Sequence, residues 1–427
     1  MKTLDRKLIR ELYRSWGLPL AITSIVAVGM TCFVSMLSAF HNLQSAKENY
    51  YRQCRMADFW IDLRKAPLAE IAALGEIPGI SDFSARIQFP ATVDLENVAK
   101  PLNSLVLSLP DRRRVVVNDI VLKNGGYFTD HRRNEVIVNA SFARQHDLHP
   151  GSWIHLLLNN RRQELYVVGT AISSEFTYLL GPGAVVPDPD NFGVFYLKQS
   201  YAEDVFDFAG AANQVIGRLA PDQRRNIDLI LDEAERQLES YGVFATTPLE
   251  LQVSNQFLTG EIAGLGATAA VIPVIFLLVA ALVLNVLITR LARQQRTVVG
   301  TLKALGYSDW HIFSHFIKFG VSVGIAGGVM GSVLGYMAAT GMTVVYRQFF
   351  EFPELRSGFY WYTHIIGIAV SILCAVLGSL HGAWAMLRLR PAAAMRPKPP
   401  RAGGKIWLER FGNWWVRLSS PWRMTLR

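Results

Sequence analysis

Four long stretches of this chain contain no Asp, Glu, Lys or Arg: residues 15–46, 262–289, 319–346 and 357–387. They run to 32, 28, 28 and 31 residues, and the next longest such stretch, 148–160, has 13. A helix needs about 20 apolar residues to cross about 30 Å of hydrocarbon. The gap between 28 and 13 therefore separates spanning segments from soluble ones. The chain is expected to be a membrane α-helical protein with four transmembrane helices. A large domain is inserted between helices one and two. A soluble enzyme and a secreted disulfide scaffold are both excluded.

Charge sets the expected topology. Residues 41–266 hold 21 Lys/Arg and 28 Asp/Glu, a net −7, while the remainder holds 22 basic and 6 acidic residues, a net +16. The basic residues flank the apolar stretches: Lys2 to Arg14 before the first, Arg290 to Lys318 between the second and third, and Arg388 to Lys405 after the fourth. Short basic loops stay in the cytoplasm. Both termini and the 290–318 loop are thus expected inside, and the large α+β domain is expected to be extracytoplasmic. The pI of 9.5 then reflects topology, not nucleic-acid binding. Cys32 and Cys374 fall in apolar stretches and Cys54 is alone in the large domain, so no disulfide or zinc spacing exists.

The expected segments are an amphipathic elbow helix at 1–17, spans at 18–40, 266–290, 316–345 and 362–387, and the outer domain at 41–265. A cytoplasmic loop covers 291–315, an outer turn 346–361 and a cytoplasmic tail 388–427. Within the outer domain, runs rich in Val, Ile and aromatics predict strands over 58–63, 83–95, 103–109, 114–120, 135–139, 153–158, 164–170 and 193–197. Ile227, Ile230, Leu231, Ala234, Leu238 and Tyr241 form one stripe of a helix. Residues 247–266 are expected to descend as a helix into the second span.

The third apolar stretch carries two rows of glycine at four-residue spacing, Gly320, Gly324, Gly328 and Gly327, Gly331, Gly335. Small residues in step let helices approach closely in lipid. The rows suit a movable interface with a partner span, and equally fixed packing within the chain. Asn285 is the conspicuous polar residue of the second span, suited to a hydrogen bond across helices.

No enzyme motif survives. The phosphate-cradling G-x-x-x-x-G-K-[ST] pattern is absent, so no nucleotide cofactor is expected. Gly320-Val-Ser-Val-Gly324 matches a nucleophile elbow in letters but lies in an apolar stretch. His146 and His149 lack further ligands for a metal. His364 and His381 are expected at the ends of the fourth span, in the interface. No Asp, Glu, Lys or Arg lies in the interior of a span; Arg290 and Lys318 stand only at span ends, so energy must come from outside the membrane.

The loop between spans two and three reads as a short helix with Val298, Leu302 and Leu305 on one apolar stripe, stopped by Gly306, with Ser308 capping the next helix. Such a helix suits a groove on a soluble partner, or the lipid surface.

Val299-Gly300, Leu302-Lys303-Ala304-Leu305-Gly306, Ser308 and Ile312 resemble the coupling loop of FtsX-like permeases of ABC transporters. Pro391-Ala-Ala-Ala-Met-Arg396 resembles that family's terminal motif. Gly126–Asp130, Glu135–Ala143, Leu148–Gly151 and Tyr166–Gly169 resemble the outer domain of MacB-type permeases. The resemblance implies a multi-pass protein of the bacterial inner membrane, worked by a cytoplasmic ABC ATPase subunit. It also implies a second permease copy or half, a periplasmic adaptor, and contact with membrane lipids. Val298, Gly300, Leu302, Lys303, Ala304, Leu305 and Gly306 would couple the ATPase to the outer domain. Cargo would be lipid-, lipoprotein- or peptide-like, taken for export or extraction. The alternative is a sensor or mechanotransmission scaffold without transport, regulating a periplasmic partner. Two departures stand out: many relatives carry an acid where this chain has Val298, and Trp407, Trp414, Trp415 and Pro421–Arg427 look like the elbow of a further permease half.

Overall fold

The computed structural model describes Arg6, Arg10 and residues 16–95, 98 and 100–387. The expected elbow helix and the 388–427 tail, with its Pro391–Arg396 motif and tryptophans, lie outside the described residues.

Helix α1 (Gly17–Gln53) carries the first apolar stretch. Its 37 residues rise about 55 Å, well beyond the hydrocarbon thickness, so its last turns stand above the lipid. Strands β1 (Phe59–Pro67), β2 (Ile80–Arg86), β3 (Gln88–Asp94), β4 (Leu102–Leu109), β5 (Ile120–Gly125) and β6 (Glu135–Asn139) follow. After them come β7 (Trp153–Leu158), β8 (Arg161–Ser173), β9 (Phe192–Lys198), β10 (Ala211–Leu219) and β11 (Val243–Pro248). Short helices α2 (Leu68–Ala72), α3 (Ala140–Gln145) and α4 (Gln199–Phe206) and the longer α5 (Ile227–Leu238) lie between strands.

The strands form two sheets. One is antiparallel, in the order β11-β1-β10-β2. The other runs β5-β8-β6-β9-β4-β3-β7, and β7 pairs back onto β8. Six of its strands therefore close into a barrel, with β5 outside on the second half of β8. Closure leaves those six strands no free edge. Gly169 makes the branch possible: a Cβ there would stand 2.5 Å from the Gly126 carbonyl oxygen. Val106, Val136, Val138, Leu156, Leu165 and Phe195 fill the barrel. Ile230, Leu231, Ala234 and Leu238 of α5 cover Phe59, Ile61 and Val215 of the four-stranded sheet. Each such side chain contributes about 1.5–3 kcal/mol by leaving water.

Three sequence expectations need correction. Residues 83–95 are not one strand. The chain turns at Ile87, so β2 serves the four-stranded sheet and β3 the barrel. Residues 114–120 form no strand before Ile120: the chain turns at Val117 and Asn118, the latter at φ 54°, and the Asn118 and Asp119 amides donate to Arg55 O and Cys54 O. The helix expected from 247 starts at Val253, after strand β11. Strand β10 was not legible, since Asn213 and Gln214 interrupt its apolar pattern.

The sheets are tied by a buried ion pair. Glu175, just after β8, receives the Arg86 guanidinium through two bonds of 2.6 and 2.8 Å. Trp60 Nε1 and Asn118 Nδ2 donate to the same carboxylate at 2.8 and 3.1 Å. Arg86 Nε donates to Gln214, which donates in turn to Asp62.

Beyond the sheets come α6 (Val253–Gln294, with Pro273 inside it), α7 (Arg296–Ala304), α8 (Asp309–Phe349) and α9 (Trp361–Leu387). Among the described residues, α1, α6, α8 and α9 are long and apolar enough to cross a membrane. The chain divides into two compact units. One comprises 23–278 and 325–371, the other 279–324 with the described parts of 1–22 and 372–427.

Candidate functional site

Helix α7 is nine residues long and ends in two bonds that together close a left-handed stop. Tyr307 N donates to Leu302 O at 3.0 Å, and Gly306 N to Lys303 O at 3.1 Å. Gly306 holds φ +89°, which glycine adopts without strain. Ser308 precedes α8, but its hydroxyl meets the His311 Nδ1 at 2.6 Å instead of a backbone amide.

The loop has two faces. Val299 and Gly300 are buried. The Lys303 side chain is 8% exposed and pairs with Asp309 at 2.8 Å. Val298, Ala304, Leu305 and Gly306 are exposed, and Leu302 is half-buried between the faces. Leu305 is 71% exposed, as is Trp310 at the start of α8. Of the seven expected coupling residues, Val299's neighbours Gly300 and Lys303 thus face inward, while the apolar edge faces out. Trp310 escaped the sequence reading, although its place two residues after the Ser308 cap was a usable signal.

Both glycine rows are filled within the chain. A Cβ at Gly320 would stand 2.0 Å from Ser379 Oγ, and one at Gly328 3.3 Å from Ile368 Cα, so this row meets α9; Gly324 is buried between them. A Cβ at Gly327, Gly331 or Gly335 would stand 2.5–2.7 Å from Val26, from Ala27 O and Met30, or from Val34, so that row meets α1. The Thr31 hydroxyl reaches Gly331 O at 3.3 Å across this approach. Asn285 does not bond across helices: its Oδ1 accepts from Thr289, one turn along α6, at 3.4 Å. His364 stands near the start of α9 and is packed within the chain. It is 8% exposed, stacked on Phe359 and bonded to Ser332 Oγ at 2.6 Å. His381 is exposed.

The outer turn after α8 is keyed into the outer domain. Phe350 and Leu355 join Leu43 of α1 and Leu258 and Ile262 of α6 in one apolar cluster. Glu351 N donates to Thr177 O at 2.7 Å, and Asn139 Nδ2 donates to its carboxyl at 2.8 Å. Burial pushes the Glu351 carboxyl above the usual range, against the hydrogen bonds from Ser141 and Asn139. One acid inside the aromatic run Phe349-Phe350-Glu351-Phe352 was the signal the sequence reading passed over.

The other chemical candidates are structural. Ser322 lies within α8 and donates to Lys318 O. His149 pairs with Asp147 at 2.9 Å in an exposed loop. Cys54 is buried, and burial pushes its thiol up to about 12.

Residues 270–391 match the family model described as FtsX-like permease C-terminal. The chain carries an FtsX-like permease domain. The match covers 122 of the 427 residues. No curated protein matches this chain. Among solved structures it is similar to the extracellular domain of the noncanonic ABC-type transporter YknZ from Gram-positive bacteria, at 13% identity and a TM-score of 0.30, covering 44% of this chain and 100% of that one. It is similar to the periplasmic region of MacB from Actinobacillus actinomycetemcomitans, at 10% identity and a TM-score of 0.30, covering 48% and 92%. A permease domain from Porphyromonas gingivalis aligns at 14% identity and a TM-score of 0.29, covering 47% and 96%.

Proposed function

We propose that the permease couples ATP hydrolysis by a separate cytoplasmic ATPase subunit to movement of its outer domain, for export or extraction of a lipid-, lipoprotein- or peptide-like cargo. The observation that carries this reading is the exposed apolar edge of α7. Val298 and Leu305 are 44% and 71% exposed on a short helix between two apolar helices, inside the FtsX-like match. An edge of that kind, without an acid at 298, would seat in an apolar groove of the ATPase. Gly300, Lys303 and Ala304 would then support the helix from behind and at its end, with Leu302 shared between groove and support. Basic residues around the loop support a place for it at the cytoplasmic face of the inner membrane. A second permease copy or half and a periplasmic adaptor complete the expected assembly. The long α1 and α6, tied to the outer domain through one apolar cluster, supply a mechanical path.

The test is affinity capture of the full chain from its native host membrane. A co-purifying ABC ATPase is expected, and Leu305→Asp or Leu302→Asp should abolish the association. Undiminished capture by both variants would sink the coupling-edge assignment.

A further inference from the structure

A cavity of about 570 Å³ opens between β5, α3, the second half of β8 and the turn after α8. Lys123, Arg144 and Arg347 line it. None of the three forms a salt bridge among the described residues. Lys123 and Arg347 hydrogen-bond only to carbonyls, those of Pro353 and Leu355, which leave their charge unneutralised. Arg144 feels the Glu351 carboxyl, but burial favours the neutral form of that group, and its Oε2 accepts from Asn139. His149 and Asp147, also on the rim, pair with each other. Three cations thus converge in a domain that is otherwise acidic.

A second observation is independent of charge. Thr170 is 3% exposed, its hydroxyl has no hydrogen-bond partner, and it lines the same cavity. A buried hydroxyl is normally satisfied. Here it is left for something that enters. Ile172, Phe350 and Phe352 give the cavity an apolar lining, interrupted by Glu351, whose Oε1 has no hydrogen-bond partner. Arg347 directly follows the charge-free stretch 319–346, so the cavity stands where hydrocarbon gives way to lipid heads.

We propose that this cavity binds a phosphate group, carried by an outer-leaflet lipid head or free in solution. Arginine and lysine donors around one hydroxyl suit the oxygens of a tetrahedral oxyanion. The apolar wall and the level in the bilayer favour the lipid-borne form. The site is independent of the ATPase edge, and its occupancy is measured without nucleotide or partner.

The full chain in non-ionic detergent is titrated with phosphatidylglycerol under native mass spectrometry, with diacylglycerol as the headless control. A parallel titration uses inorganic phosphate in calorimetry. The wild type is expected to retain phosphatidylglycerol and not diacylglycerol. Lys123→Ala combined with Arg144→Ala should weaken retention by about fivefold for each cation removed. Both side chains are exposed, so the variant folds. Thr170→Val should weaken retention without lowering the thermal midpoint, because the hydroxyl bonds nothing in the protein. Lipid retention without heat from phosphate assigns the lipid head, and heat that the double variant loses assigns the free ion. Binding of neither probe, or binding that all three chains share equally, overturns the site.

Discussion

Glu175 and Arg86 show what single residues decide. Both side chains are 7% exposed, and between them they connect the barrel to the four-stranded sheet. Removing one partner leaves a buried charge unpaired, so Arg86→Met is expected to destabilise the chain by about 3–5 kcal/mol, read as a lower thermal midpoint. A midpoint within a degree or so of wild type would show the pair to be dispensable. Glu135 titrates differently. Burial opposes its charge, but the Thr129 amide and hydroxyl and the Lys198 ammonium at 3.0 Å outweigh it and hold the carboxyl below the usual range. A lowered folded-state value means the unfolded chain takes up the proton first. The stability from Glu135 is therefore complete above its ordinary value of 4.5 and is lost as pH falls through the lowered one. Glu135→Gln should flatten that slope in a pH series of thermal midpoints. Neither role was legible in the sequence, because the charged partners, Arg86 for Glu175 and Lys198 for Glu135, lie tens of residues away and no local pattern announces them.

At the scale of elements, the spans were plain and the sheets only partly so. Charge-free length is a local property and marks α1, α6, α8 and α9 directly, whereas strand pairing is not. The 83–95 run was misread because apolar alternation continues across Ile87 while the chain changes sheets. The glycine rows were legible as close approaches, but not which helices would fill them. Gly331→Val would drive a side chain into Ala27 O and the Met30 Cβ, each 2.5 Å from a built Cβ, and should strongly lower the thermal midpoint. Gly341→Ala, with nothing within 4 Å, should be neutral or stabilise by up to about 1 kcal/mol. Equal effects of the two would refute the proposed close approach of α1 and α8. The outer turn gives a third test. Glu351 has a raised folded-state value, so its contribution is present at low pH and is lost as pH rises through that value. Glu351→Gln should raise the midpoint at neutral pH and remove the acid-side gain.

For the whole molecule, the FtsX-like match over 270–391 stands beside four apolar helices and an inserted α+β domain, in a chain whose sequence contains no G-x-x-x-x-G-K-[ST] cradle. In proteoliposomes with the proposed ATPase partner, Leu305→Asp is expected to leave the chain folded while abolishing nucleotide-dependent change in the outer domain, followed by cysteine-labelled fluorescence. Cargo transfer that fails while that signal persists in wild type would favour mechanotransmission. The outer domain's sequence identified a sizeable α+β core but not its plan, since β1 and β10 are separated by more than a hundred residues yet are neighbours. That plan has a consequence for descent. The entire barrel enters after Arg86 and leaves before Ala211, and Arg86 faces Gln214 across adjacent strands. A cassette whose two ends emerge side by side can be lengthened, traded or grafted while the four-stranded base keeps its form.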